Sequence, residues 1–219
     1  MPIRGVTMSA NDQLFATNSF DSVKVWSCDL FQYSQKNNIE IQCKQSLDEA
    51  NVLSMAILPG NRYIVLGTKD GQVLLYELNS NSVIQRIQGH QKEIWEIAYH
   101  TNANSKALKG SLVIATASSD RRINFYTLTQ STSSSTVSLS FFEKIETTDE
   151  VMGVKFSPDG NFFIFSLLDS TLKVCYVDSM KLLLNLYGHK LPVLSFDVSS
   201  DGQLLATGSA DKNLKIWGM

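Results

Sequence analysis

His189, Ser209 and Asp211 are residues of the types that can do hydrolytic chemistry. In a Ser–His–Asp arrangement the imidazole takes the hydroxyl proton and the carboxylate orients the imidazole. His90, Ser118 and Asp120 form a second such set. In each set an aromatic residue stands six positions after the aspartate, Trp217 in one and Tyr126 in the other. A polar trio that recurs beside an aromatic reads as part of a repeated structural unit, so no catalytic residue is assigned. His100 is isolated. No Gly-x-Ser-x-Gly, Walker, Gly-x-Gly-x-x-Gly or His-Glu-x-x-His pattern occurs. Cys28, Cys43 and Cys175 are odd in number, widely spaced and without a Cys-x-x-Cys pair. They read as buried or half-buried thiols in a reducing compartment, with neither a disulfide framework nor a zinc site. No metal or cofactor site is expected. Arg121-Arg122 reads as a solvated turn, with a phosphate contact as the alternative.

The 219 residues suffice for one large all-β domain or two small ones, and 43% are hydrophobic, enough for a sizeable core. The net charge of −2, from 19 basic and 21 acidic residues, carries no general nucleic-acid footprint. A local basic patch made by folding stays open. Residues 1–15 lack the apolar core of a signal peptide, and no apolar run is long enough to span a bilayer.

The elements that must position these residues follow one grammar. The pattern Asp-x-x-Leu-x-Ile-Trp at 211–217 returns at 70–76, at 120–126 and, except for its last position, at 169–175. At 20–26 the tail fits, but Phe20 takes the Asp slot and Asp21 comes one residue late. The closing residues 26, 76, 126, 175 and 217 are spaced by 50, 50, 49 and 42 residues. The expected strands are 3–8, 14–18, 23–28 and 39–45; 52–58, 63–68, 73–78 and 83–88; 94–100, 112–117, 123–128 and 137–145; 151–157, 162–167, 172–177 and 182–186; and 192–198, 203–209 and 214–217. Turns fall at Asn11-Asp12, Pro59-Gly60-Asn61, Pro158-Asp159-Gly160 and Asp201-Gly202. Residues 29–38 and 101–110 read as loops. The Ser/Thr stretch 130–136 reads as a mobile connection.

Several runs are apolar on both faces: 112–115, 162–165 and 182–184. Such strands suit sheets covered on both sides. Stacked blades provide that cover, and burying one Leu or Phe fully stabilises by about 1.5–3 kcal/mol. A two-sheet sandwich is the competing all-β architecture, and the near-equal period argues for blades. The units resemble the WD repeat, so the expected fold is all-β: a WD-repeat β-propeller region over 1–219. Its units are roughly 1–47, 48–88, 89–146, 147–187 and 188–219, the fifth without its outer strand.

In WD repeats a buried His, Ser/Thr, Asp and Trp link the strands of one blade. The resemblance carries this tetrad onto His189, Ser209, Asp211 and Trp217, and a partial one onto His90, Ser118, Asp120 and Tyr126. The second unit offers Asp48, Thr68, Asp70 and Tyr76. The fourth, with Thr147, Leu167, Asp169 and Cys175, is degenerate.

A narrower resemblance rests on Ser166–Val174, Asp178–Leu182, Leu186-Tyr-Gly-His-Lys-Leu-Pro-Val-Leu-Ser195 and Gly208–Gly218, with looser support at 56–60, 66–71 and 94–95. These segments are similar to the tandem-propeller WD-repeat subunits of the UtpB subcomplex of the small-subunit processome. The resemblance implies a non-catalytic scaffold in ribosome biogenesis, in the nucleus and nucleolus, serving pre-18S rRNA processing. It implies other UtpB subunits and processome proteins as partners, with precursor ribosomal RNA or small nucleolar RNA as a further contact and no membrane. Members of that family are longer, with two propellers and a helical C-terminal domain, so this chain reads as a fragment. The alternative is a WD-repeat protein–protein adaptor of another complex. A propeller enzyme would need carboxylates or metal ligands at matched channel positions, and none are matched here. Leu214–Trp217 is expected to be an edge strand that promotes self-association.

Overall fold

The computed structural model describes residues 2–19, 21–28, 41–47, 51–101, 111–130 and 137–219. The expected loop at 29–38, most of the one at 101–110, the connection 131–136, Phe20 and Asp48 lie outside the described residues. Those described form antiparallel sheets, each following chain order. Sheet 1 holds β1 (Gly5–Met8), β2 (Leu14–Asn18), β3 (Val23–Cys28) and β4 (Ile41–Leu47). Sheet 2 holds β5 (Val52–Ile57), β6 (Tyr63–Thr68), β7 (Gln72–Glu77) and β8 (Ser82–Gln88). Sheet 3 holds β9 (Ile94–His100), β10 (Val113–Ser118), β11 (Arg122–Gln130) and β12 (Val137–Glu146). Sheet 4 holds β13 (Val151–Phe156), β14 (Phe162–Leu167), β15 (Leu172–Tyr176) and β16 (Leu182–Leu186). Sheet 5 holds β17 (Val193–Val198), β18 (Leu204–Ser209) and β19 (Leu214–Gly218). Gln130, expected in a connection, is the last residue of β11. Among the described residues no helix is long and apolar enough to cross a membrane.

The turns after the first strand of sheets 1, 4 and 5 share one hydrogen-bond pattern. Ser199 Oγ donates to Asp201 Oδ1, while Gln203 N–H donates to Asp201 Oδ1 and Leu204 N–H to Ser199 Oγ. Ser157, Asp159, Asn161 and Phe162 repeat this pattern, as do Ser9, Asn11, Gln13 and Leu14. The carboxylate or amide oxygen closes a local ring with the backbone, which is why Ser and Asx residues favour such turns. Gly160 and Gly202 sit at φ +69° and +71°, where a Cβ is disfavoured.

Contacts group the chain into two compact units, residues 1–94 and 95–219. In the first, Ala16, Val23 and Val25 of sheet 1 pack against Val52, Met55, Ile64 and Leu66 of sheet 2. In the second, Val113, Ala115, Ile123 and Phe125 of sheet 3 pack against Val151, Val154, Phe163 and Phe165 of sheet 4. The opposite face of sheet 4 (Phe162, Ile164, Leu172, Val174) meets Val193, Phe196, Leu205 and Trp217 of sheet 5. Alternation with period two lets one strand serve both of these cores.

The corresponding set on the far face of sheet 5 is Leu204, Ala206, Leu214 and Ile216. Leu204, Leu214 and Ile216 are 48%, 71% and 65% exposed. The run 182–184, expected to be covered on both faces, is not. Leu182, Leu183 and Leu184 are 50%, 38% and 46% exposed. They lie on the outermost strand of sheet 4, and among the described residues the neighbouring sheet 5 has three strands.

Candidate functional site

The 187–217 stretch brings its polar residues together through strand register. Leu205 pairs with Trp217 and Thr207 with Lys215, so Thr207 and Trp217 share one face as diagonal neighbours. Trp217 Nε1–H donates to Thr207 Oγ1 at 3.0 Å. Thr207 Oγ1 lies 2.8 Å from His189 Nε2, and His189 Nδ1 lies 3.0 Å from Asp211 Oδ2. With Nδ1–H donated to the carboxylate, Nε2 accepts the Thr207 hydroxyl proton, and the donors run in one direction from indole to carboxylate. Asp211 also accepts the backbone N–H groups of Lys190 at 2.9 Å and Asn213 at 2.9 Å. The Lys190 N–H, helped by His189 and Asn213 against the cost of burial, holds the Asp211 carboxyl well below its ordinary range. Gly188 lets the backbone pass close to the indole; a Cβ there would stand 3.1 Å from the Trp217 ring.

The hydroxyl in this network is Thr207, not Ser209. Ser209 was expected from the resemblance to the WD-repeat tetrad, as Ser118 was in the partial set with Asp120. Ser209 lies one step further along the same face, past the reach of the indole. Its Oγ instead donates to Leu191 O at 2.8 Å and accepts from Asp211 N–H at 3.1 Å, so it ties down the turn. The signal that finds Thr207 is the cross-strand diagonal to the closing aromatic.

The same diagonal explains the other sheets. In sheet 1, Phe15 pairs with Trp26, and Trp26 Nε1–H donates to Thr17 Oγ1 at 2.9 Å. In sheet 3, Ile114 pairs with Tyr126, which places Thr116 in the hydroxyl position; Thr116 Oγ1 donates to Asn124 O at 3.3 Å. Burial pushes the Tyr126 phenol up. Ser118 plays the part of Ser209, accepting from Asp120 N–H at 3.1 Å. His90 is buried in the first unit, where its backbone N–H donates to Gly71 O. Leu66 and Phe165 hold the hydroxyl position in sheets 2 and 4, so neither repeats the network. Tyr76 donates its phenol to Asn81 instead. Thr147 donates to the Asp149 carbonyl.

Thr207, His189 and Asp211 have the connectivity of a catalytic triad, but Thr207 is 1% exposed and its oxygen already accepts the indole proton. No face of the hydroxyl is open to an incoming carbonyl. What the arrangement does chemically is satisfy buried polar groups and fix the 187–192 loop on sheet 5.

A second polar link joins first strands. Glu96 of β9 and Lys155 of β13 form an ion pair at 3.0 Å, and Glu96 Oε2 accepts Val154 N–H at 3.0 Å. A Cβ on Gly153 would come within 2.6 Å of Glu96 Oε2, so glycine leaves room for the carboxylate. Burial raises the Glu96 carboxyl against the pull of Lys155; the Lys155 ammonium is raised because Glu96 outweighs its own burial. Among the described residues no group of three His, Cys, Asp or Glu is placed to hold a metal ion.

Repeated antiparallel sheets, one of them carrying an indole–hydroxyl–imidazole–carboxylate network, are what WD repeats build, and comparison with known proteins narrows the family. A family model described as the WDR3 second beta-propeller domain matches residues 2–219. The chain belongs to the WDR3 second β-propeller domain family. It is 33% identical over 206 residues to U3 small nucleolar RNA-associated protein 12 of Saccharomyces cerevisiae, a match covering 89% of this chain and 20% of that protein. It is 33% identical over 197 residues to the WD repeat-containing protein 3 homolog of Dictyostelium discoideum, covering 88% and 19%. The human WD repeat-containing protein 3 is 31% identical over 195 residues, covering 87% and 19%. The chain thus spans about a fifth of the length of the relatives it matches. As a WDR3-type domain it is an all-β propeller region, in agreement with the expected fold class.

Proposed function

We propose that this WDR3-family chain is a non-catalytic scaffold in ribosome biogenesis. It acts in the nucleolus within the small-subunit processome, in the pathway that matures pre-18S rRNA. The observation that carries this reading is the family itself, one of whose members is named for its association with U3 small nucleolar RNA. The geometry at Thr207, His189 and Asp211 supports the non-catalytic part, because that triad-like arrangement is closed on itself and buried. The proposed partners are other UtpB subunits and processome proteins, with precursor ribosomal or small nucleolar RNA held in the same assembly.

Affinity purification of a tagged chain expressed in its native cell tests the reading. Enrichment of UtpB-type WD-repeat proteins together with U3-type small nucleolar RNA supports it. A partner set devoid of both, with a different complex in their place, refutes it in favour of an adaptor role elsewhere.

A further inference from the structure

The chain holds three Asp-Gly steps, Asp70-Gly71, Asp159-Gly160 and Asp201-Gly202. Such steps can close a succinimide, because glycine has no side chain to screen its N–H from the neighbouring carboxyl. All three sit in the same kind of turn. Each glycine has positive φ, +78°, +69° and +71°, and donates its N–H to the carbonyl three residues back, on Thr68, Ser157 or Ser199. The backbones are therefore alike, and the hold on the carboxylate is what differs. Asp159 accepts the Ser157 hydroxyl and the backbone and side-chain N–H groups of Asn161. Asp201 accepts the Ser199 hydroxyl and the Gln203 N–H. In the 68–71 turn the corresponding N–H, that of Gln72, donates to Thr68 Oγ1 at 3.0 Å instead. Asp70 is exposed, and among the described residues no group donates to its carboxylate. The attacking N–H is also held most loosely there. Gly71 N lies 3.3 Å from Thr68 O, against 2.9 Å for Gly160 and 2.8 Å for Gly202.

We propose that Asp70-Gly71 is a modification site, the step at which the folded chain forms isoaspartate. The Gly71 nitrogen attacks Cγ of the protonated Asp70 carboxyl. The new N–Cγ bond forms as the carboxyl hydroxyl leaves with the amide proton as water, which closes a five-membered succinimide. Water then adds at one of the two ring carbonyls. Cleavage of the N–Cγ bond restores aspartate, and cleavage of the other C–N bond leaves the main chain running through Cγ with a free α-carboxylate. One water leaves and one enters, so no other reactant is needed. At Asp159 and Asp201 the carboxylate must first give up its donors, and bonds to an ionised oxygen are the stronger kind. Those donors also keep both groups ionised. Against the cost of burial, Ser157 and Asn161 hold the Asp159 carboxyl below its ordinary range, and Ser199 and Gln203 do the same for Asp201. The change at Asp70 reaches the neighbouring loop. Gln88 Nε2 donates to Asp70 O and to His90 O, each at 2.8 Å, and the His90 backbone N–H donates to Gly71 O at 2.9 Å. A Cβ on Gly71 would stand 2.2 Å from His90 O, so the two backbones are in close contact. Isoaspartate adds a methylene to the main chain between these anchors and turns the carbonyl that Gln88 holds into a carboxylate. The 88–90 loop is thereby loosened from the turn.

The test ages the intact chain in H₂¹⁸O at neutral pH, below its unfolding transition, and maps isoaspartate and incorporated ¹⁸O by proteolysis and mass spectrometry. In the folded chain Asp70-Gly71 should convert at least about tenfold faster than the other two steps, the factor set by one bond to an ionised oxygen. In the denatured chain the three steps should convert at similar rates, which assigns the difference to the fold. Ser199→Ala, at an exposed turn, should speed conversion at Asp201. Asp70→Glu should abolish conversion at position 70, because its ring would need six members. Hydrogen exchange at the His90 amide should quicken in the converted chain and stay unchanged in aged Asp70→Glu. Equal rates at the three steps of the folded chain overturn the proposal, as does a faster step at Asp159 or Asp201. An unchanged rate at Asp201 in folded Ser199→Ala overturns the protective role of the carboxylate bonds, and unchanged His90 exchange after conversion overturns the loosening of the loop.

Discussion

Replacing Thr207 by Val should be the most damaging conservative change in sheet 5. Valine keeps the shape and removes the oxygen that accepts Trp217 Nε1–H and bonds His189 Nε2. Both partners are then left without that contact in a site where the His189 side chain is fully buried. Each stranded group costs about 1–3 kcal/mol, so losing the oxygen for both should cost about 2–6 kcal/mol. Thr207→Ser keeps the hydroxyl and loses one methyl, at about 1 kcal/mol. Ser209→Ala removes one bond to Leu191 O and one from Asp211 N–H at a half-exposed position, at about 1 kcal/mol. Urea unfolding followed by tryptophan emission and by circular dichroism would rank the three variants. The expected order is Thr207→Val far below Thr207→Ser and Ser209→Ala. A Ser209→Ala chain as unstable as Thr207→Val would refute the assignment of the linking hydroxyl to Thr207.

Three further outcomes follow from the same structure. Because the Asp211 carboxyl titrates below its unfolded value of about 3.9, its contribution to stability is complete above that pH and is lost as pH falls through the folded value. Acid titration of Asp211→Asn should therefore show a shallower loss of stability below about pH 4 than the wild type. The buried Cys175 thiol is pushed up to about 11 by desolvation, against a weak pull from Lys173. In a Cys28→Ser, Cys43→Ser background it should resist a thiol reagent at pH 8 until denaturant is added, and prompt native labelling would contradict this. The exposed face of Leu204, Leu214 and Ile216 should drive concentration-dependent self-association, measured by sedimentation, and Ile216→Lys should reduce it; a wild-type chain monomeric at every concentration would count against this.

Strand placement was largely legible in the sequence because period-two alternation and Asp-Gly or Asn-Asp turns carry it. Leu14–Asn18, Val23–Cys28, Tyr63–Thr68, Ile94–His100, Phe162–Leu167 and Leu182–Leu186 agree residue for residue with β2, β3, β6, β9, β14 and β16. The remaining boundaries moved by one or two residues, where fraying decides them. The hydroxyl partner was misread because the resemblance to the WD-repeat tetrad supplies a residue type near the turn and not the rung it occupies. Thr207 and Ser209 share a face, and only the Leu205–Trp217 register tells them apart. The cover on Leu182–Leu184 was misread for a different reason. An apolar run reports what a strand is built to meet, while its exposure depends on the neighbouring sheet.

The central claim is a scaffold role in small-subunit maturation, and depletion of the native gene product tests it most directly. Precursor and mature ribosomal RNAs would be quantified before and after depletion. The account predicts accumulation of pre-18S species and loss of mature 18S rRNA, with large-subunit rRNA spared. Unchanged pre-18S levels after complete depletion would contradict it.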